Sequence, residues 1–234
     1  MNKVLEALSK KAVVGHRGFP LRAPENTIAS FKAAIEAGVD LVEMDIQRSL
    51  DGVVFLLHDD DLARLAGVGL RVREAKWAEI AKHKARGEPI PTLEDALGFI
   101  DGRVGALIEV KHPEDSAAVR EAIARAGAAG WVAVISFYAE ALRPLKGLVP
   151  LGLIYARPPG AIAEAKREGF DIVLPQYRLA TERSNSFAHR LGLKVIAWTI
   201  NDEAAMEEAW RRGADAVASD NAELAVRVKR RLYG

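Results

Sequence analysis

Glu43 and Asp45, in the stretch Leu41-Val-Glu-Met-Asp-Ile46, are two carboxylates in a run that otherwise reads as a buried strand. Side chains alternate between the faces of a strand, so these two point one way and Val42, Met44 and Ile46 the other. Two like charges about 7 Å apart on a buried face repel and lose solvation, which costs several kcal/mol if nothing compensates. A divalent cation is the compact remedy, and an ion-pair network with Arg17 and Lys111 is the alternative. A second run, Gly105-Ala-Leu-Ile-Glu-Val-Lys-His112, brings Glu109 and Lys111 to one face. Three carboxylates with no Cys and few His form an oxygen-rich donor set. Such a set suits one hard cation, Mg²⁺ or Ca²⁺, better than Zn²⁺.

The groups expected around these acids are cationic or titrate near neutrality. Arg17 offers a planar fork for two phosphate oxygens, and Lys111 a point charge beside Glu109. His16 and His58 are the proton carriers, because an imidazole has a reference pKa of about 6.5. One can take a proton from an attacking oxygen while the other gives one to a leaving oxygen. Metal ligands, guanidinium, ammonium and two imidazoles around one point describe a phosphoester-cleaving site.

To converge, these residues must sit on neighbouring strand ends. Strand-like apolar runs fall near 12–16, 40–46, 105–111, 132–136, 150–155, 171–174, 194–198 and 215–219, with helix-like segments near 25–37, 92–100, 115–129, 138–146, 159–168, 181–191, 203–212 and 221–232. A small pattern repeats at Gly38-Val-Asp-Leu-Val42, Gly169-Phe-Asp-Ile-Val173 and Gly213-Ala-Asp-Ala-Val217. Each Gly suits a left-handed helix C-cap before the next strand. Eight strand–helix units predict an α/β fold, a TIM (β/α)8 barrel with its site at the C-terminal strand ends. A doubly wound open sheet is the runner-up; Gly15-His-Arg-Gly18 does not complete its dinucleotide fingerprint.

Residues 1–234 are expected to form one domain with a small insertion at about 51–90, after the second strand. The insertion opens with the Asp51-Gly52 turn and the run Val53-Val-Phe-Leu-Leu57, and is expected to lack a core of its own. Its basic residues, Arg64 to Arg86, read as a solvated face or as a lid over a phosphate.

The near balance of 33 basic and 32 acidic residues argues against nucleic acid as a partner and leaves anion recognition local. No apolar run is long enough to span a bilayer, and residues 1–10 have no signal-peptide core, so stable membrane insertion is not expected and a cytoplasmic location is. Oligomeric state is not readable.

Other residues have two readings. Pro24-Glu-Asn-Thr27 either starts a helix, with Asn26 or Thr27 as cap, or places Asn26 in the site as a substrate contact. Trp198, and more weakly Phe137, read as walls of a substrate pocket. His83, His112 and His189 read as surface or loop residues, and the basic residues of the last helix as complements to its dipole.

His16-Arg-Gly18, Pro24-Glu-Asn-Thr27, Glu43-Met-Asp45, His58-Asp59, Glu109-Val-Lys111 and Ile196-Ala-Trp-Thr199 occur in the order and context of the glycerophosphodiester phosphodiesterase family, which the chain resembles over nearly its whole length. The resemblance implies a barrel that hydrolyses glycerophosphodiesters to glycerol 3-phosphate and an alcohol. It implies Glu43, Asp45 and Glu109 as metal ligands, His16 and His58 as acid and base, and Arg17 and Lys111 on the phosphate. The family is similar in mechanism to phosphatidylinositol-specific phospholipase C, in which the glycerol 2-hydroxyl attacks phosphorus. Two positions depart from the family pattern: Arg64-Leu-Ala66 stands where an Arg-Thr-Thr run is common, and Asn221 where Pro is common. A lysophospholipase D and a non-catalytic barrel that binds phosphorylated ligands are the alternative functions.

Overall fold

The computed structural model describes residues 1–157 and 160–234. Within them, parallel strands β1 (Ala12–Gly15), β2 (Leu41–Arg48), β3 (Gly105–Val110), β4 (Val132–Ser136), β5 (Leu151–Tyr155), β6 (Ile172–Pro175), β7 (Lys194–Ala197) and β8 (Ala216–Ser219) pair in chain order. β1 pairs with both β2 and β8, so the sheet closes and the open-sheet alternative is excluded. The expected strands lie within two residues of these. Residue 159, the first of the helix expected at 159–168, lies outside the described residues, and that helix runs Ala161–Glu168.

The repeated Gly-x-Asp corners explain how the strands are seated. Gly38, Gly169 and Gly213 end their helices with φ of 90°, 72° and 93°, the left-handed turn that favours glycine. The Asp two residues later then clasps the foot of a neighbouring strand. Asp40, Asp171 and Asp215 accept the backbone N–H of Val13, Leu151 and Val195 at 2.7, 2.9 and 2.8 Å. Asp215 also lies 2.9 Å from Nε2 of His189, so that ring, expected to be a plain surface group, braces the same corner.

Alternation along the strands sorts two apolar sets. Val13, Val42, Met44, Ile108, Val134 and Val173 face the surrounding helices. Ala12, Val14, Leu41, Leu107, Ile135, Ile172, Leu174, Ile196, Ala216 and Ala218 fill the barrel. A short helix over Lys3–Leu8, absent from the expected elements, presses Val4 and Leu8 against this interior set and stoppers the barrel at the N-terminal strand ends. Among the described residues no helix is long and apolar enough to cross a membrane.

The insertion departs from expectation in one respect. Its ribbons and single helical turns bury Phe55, Leu57, Leu62, Leu65, Val72 and Ile80 in a cluster separate from the main core. It therefore carries a small core of its own, and the Leu of Arg64-Leu-Ala66 is part of it. The expected hairpin is present: Val54–Leu56 pairs antiparallel with β2, and Leu57 N–H donates to the Asp45 carbonyl at 3.1 Å. This pairing carries the chain from the second strand straight back to the rim. Arg73 anchors the far side by reaching the fully buried Asp115 at 2.7 Å.

Candidate active site

Each inward-facing row begins apolar at the foot of the barrel and ends polar at its mouth. On β2 the row reads Leu41, Glu43, Asp45, Gln47; on β3, Leu107, Glu109, Lys111; on β1, Val14 and then His16; on β8, Ala218 and then Asp220. Parallel register sets Asp45 beside Glu109, and Gly15 beside both Val42 and Ser219, so His16 emerges between Glu43 and Asp220. The strand ends thus gather His16, Glu43, Asp45, Glu109 and Lys111 at one mouth.

Glu43, Asp45 and Glu109 each offer an oxygen within 4.8 Å of the other two. Arg17 N–H donates to Glu43 Oε2 at 2.9 Å, while Glu43 Oε1 is buried with no hydrogen-bond partner among the described residues. An orphaned buried carboxylate oxygen beside two further acids, in an all-oxygen donor set, fits a hard divalent cation. Burial pushes Glu43 up to about 8, with the charges of Asp45 and Glu109 adding to it. Glu109 is raised for the same reasons, burial first. Asp45 goes the other way: burial opposes ionisation, but Lys111 and then Arg17 outweigh it and hold the group well below the usual carboxylate range.

Those two cations are placed on the acids themselves. Lys111 Nζ lies 2.9 Å from Asp45 Oδ1 and 3.3 Å from Glu109 Oε1. Arg17 Nε lies 3.2 Å from Asp45 Oδ2, near enough for charge pairing but off the line of a hydrogen bond. The ion-pair network and the cation site are therefore two uses of one cluster, with Glu43 the acid left short of a partner.

Both imidazoles are held at Nδ1 by a carboxylate. His16 Nδ1 is 2.7 Å from Asp220 Oδ1, and Asp220 is itself fixed by Asn201, whose Nδ2 donates to Oδ2 at 2.7 Å. His58 Nδ1 is 2.7 Å from Asp59 Oδ1. With the carboxylate accepting at Nδ1, Nε2 becomes the nitrogen that exchanges a proton with a ligand. Burial pulls His16 down, but the Asp220 hydrogen bond and the Glu43 charge overcome it and the net shift is upward.

Sequence reasoning passed over the roles of Asp220, Asn201, Asp59 and Arg64. The available signal was an Asp at the end of the last strand and another directly after His58.

Asn26 is not placed as expected for a substrate contact. It is 1% exposed, and both ends of its amide are spent on Asp45: Nδ2 donates to Oδ2 at 2.8 Å and Oδ1 accepts from the backbone N–H at 3.1 Å. Thr27 caps the helix Ile28–Ala37, accepting from Ser30 N–H. Glu25 takes up Arg17 Nη1 at 3.0 Å. The turn that aims Arg17 is tight. Arg17 has φ of 54° and Gly18 of 88°, and a Cβ on Gly18 would collide with Ser30 Oγ.

The cleft over these groups has a volume of about 150 Å³. His16, Arg17, Glu43, His58, Glu109 and Lys111 line one side, and Leu174, Ile196, Phe137 and Trp198 are among those lining the other. Trp198 donates Nε1–H to the Leu174 carbonyl at 2.6 Å and meets Phe137 edge to face at 5.7 Å, so the two rings form a fixed wall. Both residues expected as pocket walls therefore line the cleft.

Comparison with known proteins bears on this arrangement. The model of the Glycerophosphoryl diester phosphodiesterase family matches residues 16–224. A glycerophosphodiester phosphodiesterase of Caldanaerobacter subterraneus is 28% identical across 95% of this chain and 99% of its own. A phosphodiesterase of Oleispira antarctica, solved in complex with the product sn-glycerol-3-phosphate, superposes with a TM-score of 0.86 at 28% identity, covering 95% of this chain and 98% of that one. A glycerophosphodiester phosphodiesterase of Thermotoga maritima gives a TM-score of 0.83 at 28% identity over 93% and 98% of the two chains. With the barrel closed, the acids and imidazoles gathered at its mouth and the family model spanning nearly the whole chain, this protein belongs to the glycerophosphodiester phosphodiesterase family.

Proposed function

We propose that this chain hydrolyses glycerophosphodiesters to sn-glycerol 3-phosphate and an alcohol, with one divalent cation, Mg²⁺ or Ca²⁺, held by Glu43, Asp45 and Glu109. The observation that carries the reading is the pair of imidazoles, His16 and His58, each fixed at Nδ1 by its own carboxylate and both lining the cleft that holds the acid cluster. When bound, such a cation stabilises negative charge on phosphoryl and attacking oxygens.

The chain's own residues do the rest. Arg17 and Lys111 hold the anionic phosphate, a guanidinium fork beside an ammonium. One imidazole, neutral at Nε2, accepts the proton of the glycerol 2-hydroxyl as that oxygen attacks phosphorus. The other, protonated at Nε2, gives its proton to the departing alcohol oxygen. Water then opens the cyclic phosphate with the two imidazoles in exchanged roles, returning each to its starting state. The attacking hydroxyl belongs to the substrate, so the first step has the advantage of an internal nucleophile. The cytoplasmic location expected from the sequence is part of the same proposal, and cell fractionation tests it.

The test is release of glycerol 3-phosphate from glycerophosphocholine with and without chelator, alongside His16→Ala and His58→Ala. Turnover at full rate in chelator overturns the metal part, and retained turnover in either variant overturns the acid–base part.

A second reading is supported by the Phe137–Trp198 wall, since Phe137 is 44% exposed at the mouth of the cleft. It offers an apolar surface to a substrate that keeps one acyl chain, as a lysophospholipase D requires. The ratio of rates on lysophosphatidylcholine and glycerophosphocholine decides between the two.

A further inference from the structure

His58 stands on the thinnest support of the proposed catalytic groups. It follows a three-residue strand of the insertion instead of a barrel strand, and its side chain is 37% exposed against 20% for His16. Asp220, which holds His16, is braced by Asn201 and sits on a barrel strand end. Asp59, which holds His58, has its second carboxylate oxygen braced by Arg64, whose Nε lies 2.7 Å from Oδ2.

Arg64 does not stop there. Its terminal nitrogens form a fork on Glu25, Nη1 at 2.8 Å from Oε2 and Nη2 at 2.7 Å from Oε1. Glu25 in turn accepts from Arg17 Nη1 at 3.0 Å. An unbroken series of charged contacts therefore runs from His58 through Asp59, Arg64 and Glu25 to Arg17, joining the insertion to the loop after β1. A two-bond guanidinium–carboxylate fork fixes direction as well as distance, and a lysine cannot reproduce it.

We propose that Arg64 is a positioning residue for His58: by clamping Asp59 against Glu25 it sets the imidazole in register with the phosphate that Arg17 binds. The inference rests on the reading of His58 as a proton-transfer group. It also gives the short insertion a task. The insertion is pinned to the barrel by Arg64 on Glu25 at one side and Arg73 on Asp115 at the other, so His58 is presented from a fixed platform.

Steady-state kinetics on glycerophosphocholine, with thermal midpoints, test this for Arg64→Ala, Arg64→Lys, Asp59→Asn and the Arg64→Ala/Asp59→Asn pair. Displacing a catalytic group by about 1 Å costs on the order of 100-fold in rate. Arg64→Ala is therefore expected to lose about 10- to 100-fold in kcat, with KM changed by less than about threefold and the midpoint nearly unchanged. Arg64→Lys should recover part of the loss, and the double variant should be no slower than Asp59→Asn alone, because both changes break one series of contacts. Wild-type kcat in Arg64→Ala, or losses that multiply in the double variant, would overturn the proposal. Should Arg64→Ala not fold, Arg64→Lys carries the test: a several-fold loss of kcat at an unchanged midpoint supports it and full activity overturns it. His58→Ala separates the two levels. If that variant still turns over, the reading of His58 fails; if it is dead while Arg64→Ala is unimpaired, only the clamp fails.

Discussion

His16 and Asp220 lie 204 residues apart in the chain and 2.7 Å apart in space, across the seam where the first and last strands of the barrel meet. Closure of the sheet therefore assembles one of the two imidazole–carboxylate pairs. The Asp220 carboxylate favours the imidazolium form of His16, and His16 with Asn201 holds Asp220 below the usual carboxylate range against the opposing effect of burial.

Asp220→Asn should uncouple these effects. A positioned acid or base contributes about 100-fold or more, so losing its orienting partner is expected to lower kcat by about 10- to 100-fold. Stability gives an independent check. Because His16 is raised, its contribution is complete below its unfolded value of about 6.5 and fades as pH rises through the folded one. Because Asp220 is lowered, its contribution is complete above about 3.9 and fades on acidification. The gap in thermal midpoint between wild type and Asp220→Asn should thus be widest near pH 5 to 6 and narrow towards pH 8.

Glu43 should report cation binding through protons. With its folded pKa at about 8 against an unfolded value of about 4.3, the cation-free fold loses stability as pH rises between the two. Adding Mg²⁺ or Ca²⁺ at pH 7 is expected to release close to one proton per site, read by calorimetry in buffers of different ionisation enthalpy. Cation at 100 times its Kd stabilises by about 2.7 kcal/mol, and the gain in midpoint should be larger at pH 8 than at pH 6. Glu43→Gln should erase that gain while leaving the cation-free midpoint at or above that of wild type.

Asn26→Ala removes the two hydrogen bonds between Asn26 and the buried Asp45 and puts a residue without a polar side chain at φ of 56°. Leaving such a group short of partners costs about 1–3 kcal/mol, and the left-handed backbone roughly one more. Denaturant unfolding should show a lower midpoint with an unchanged slope, and activity should fall because Asp45 is then held by Lys111 and Arg17 alone.

Gly18→Ala is expected to be costlier than its size suggests. The added methyl meets Ser30, whose hydroxyl accepts from Phe19 N–H at 2.7 Å and donates to the Arg17 carbonyl at 2.9 Å. Both the clash and the positive φ oppose it, for about 2–4 kcal/mol in chemical unfolding. Substrate affinity should weaken with it, since Arg17 moves with the turn.

The barrel was legible because its signals are local. Apolar runs recur at each unit and the Gly-x-Asp corner at three of them, and the acids stand out on strands that are otherwise apolar. Glu43, Asp45, Glu109 and Lys111 were found through alternation alone. What escaped notice depends on closure or on the insertion. Ser219-Asp220-Asn221 reads as the start of a helix, and Asn221 does cap one, yet Asp220 faces His16 only because β8 lies against β1. Arg64 looks like one more surface cation until the fold sets it beside Glu25, 39 residues earlier. The stoppering helix was missed because Lys3–Leu8 is too short to carry a clear helical period.

Asp40, Asp171 and Asp215 fasten the barrel at the ends of the strands opposite to His16, Glu43 and Glu109. Architecture and reactivity are thereby split between two poles of one molecule. Rim loops exchanged between members of such a fold need not disturb the fastenings beneath, which makes the mouth a place where selectivity for the departing alcohol can be remodelled at little risk to the frame.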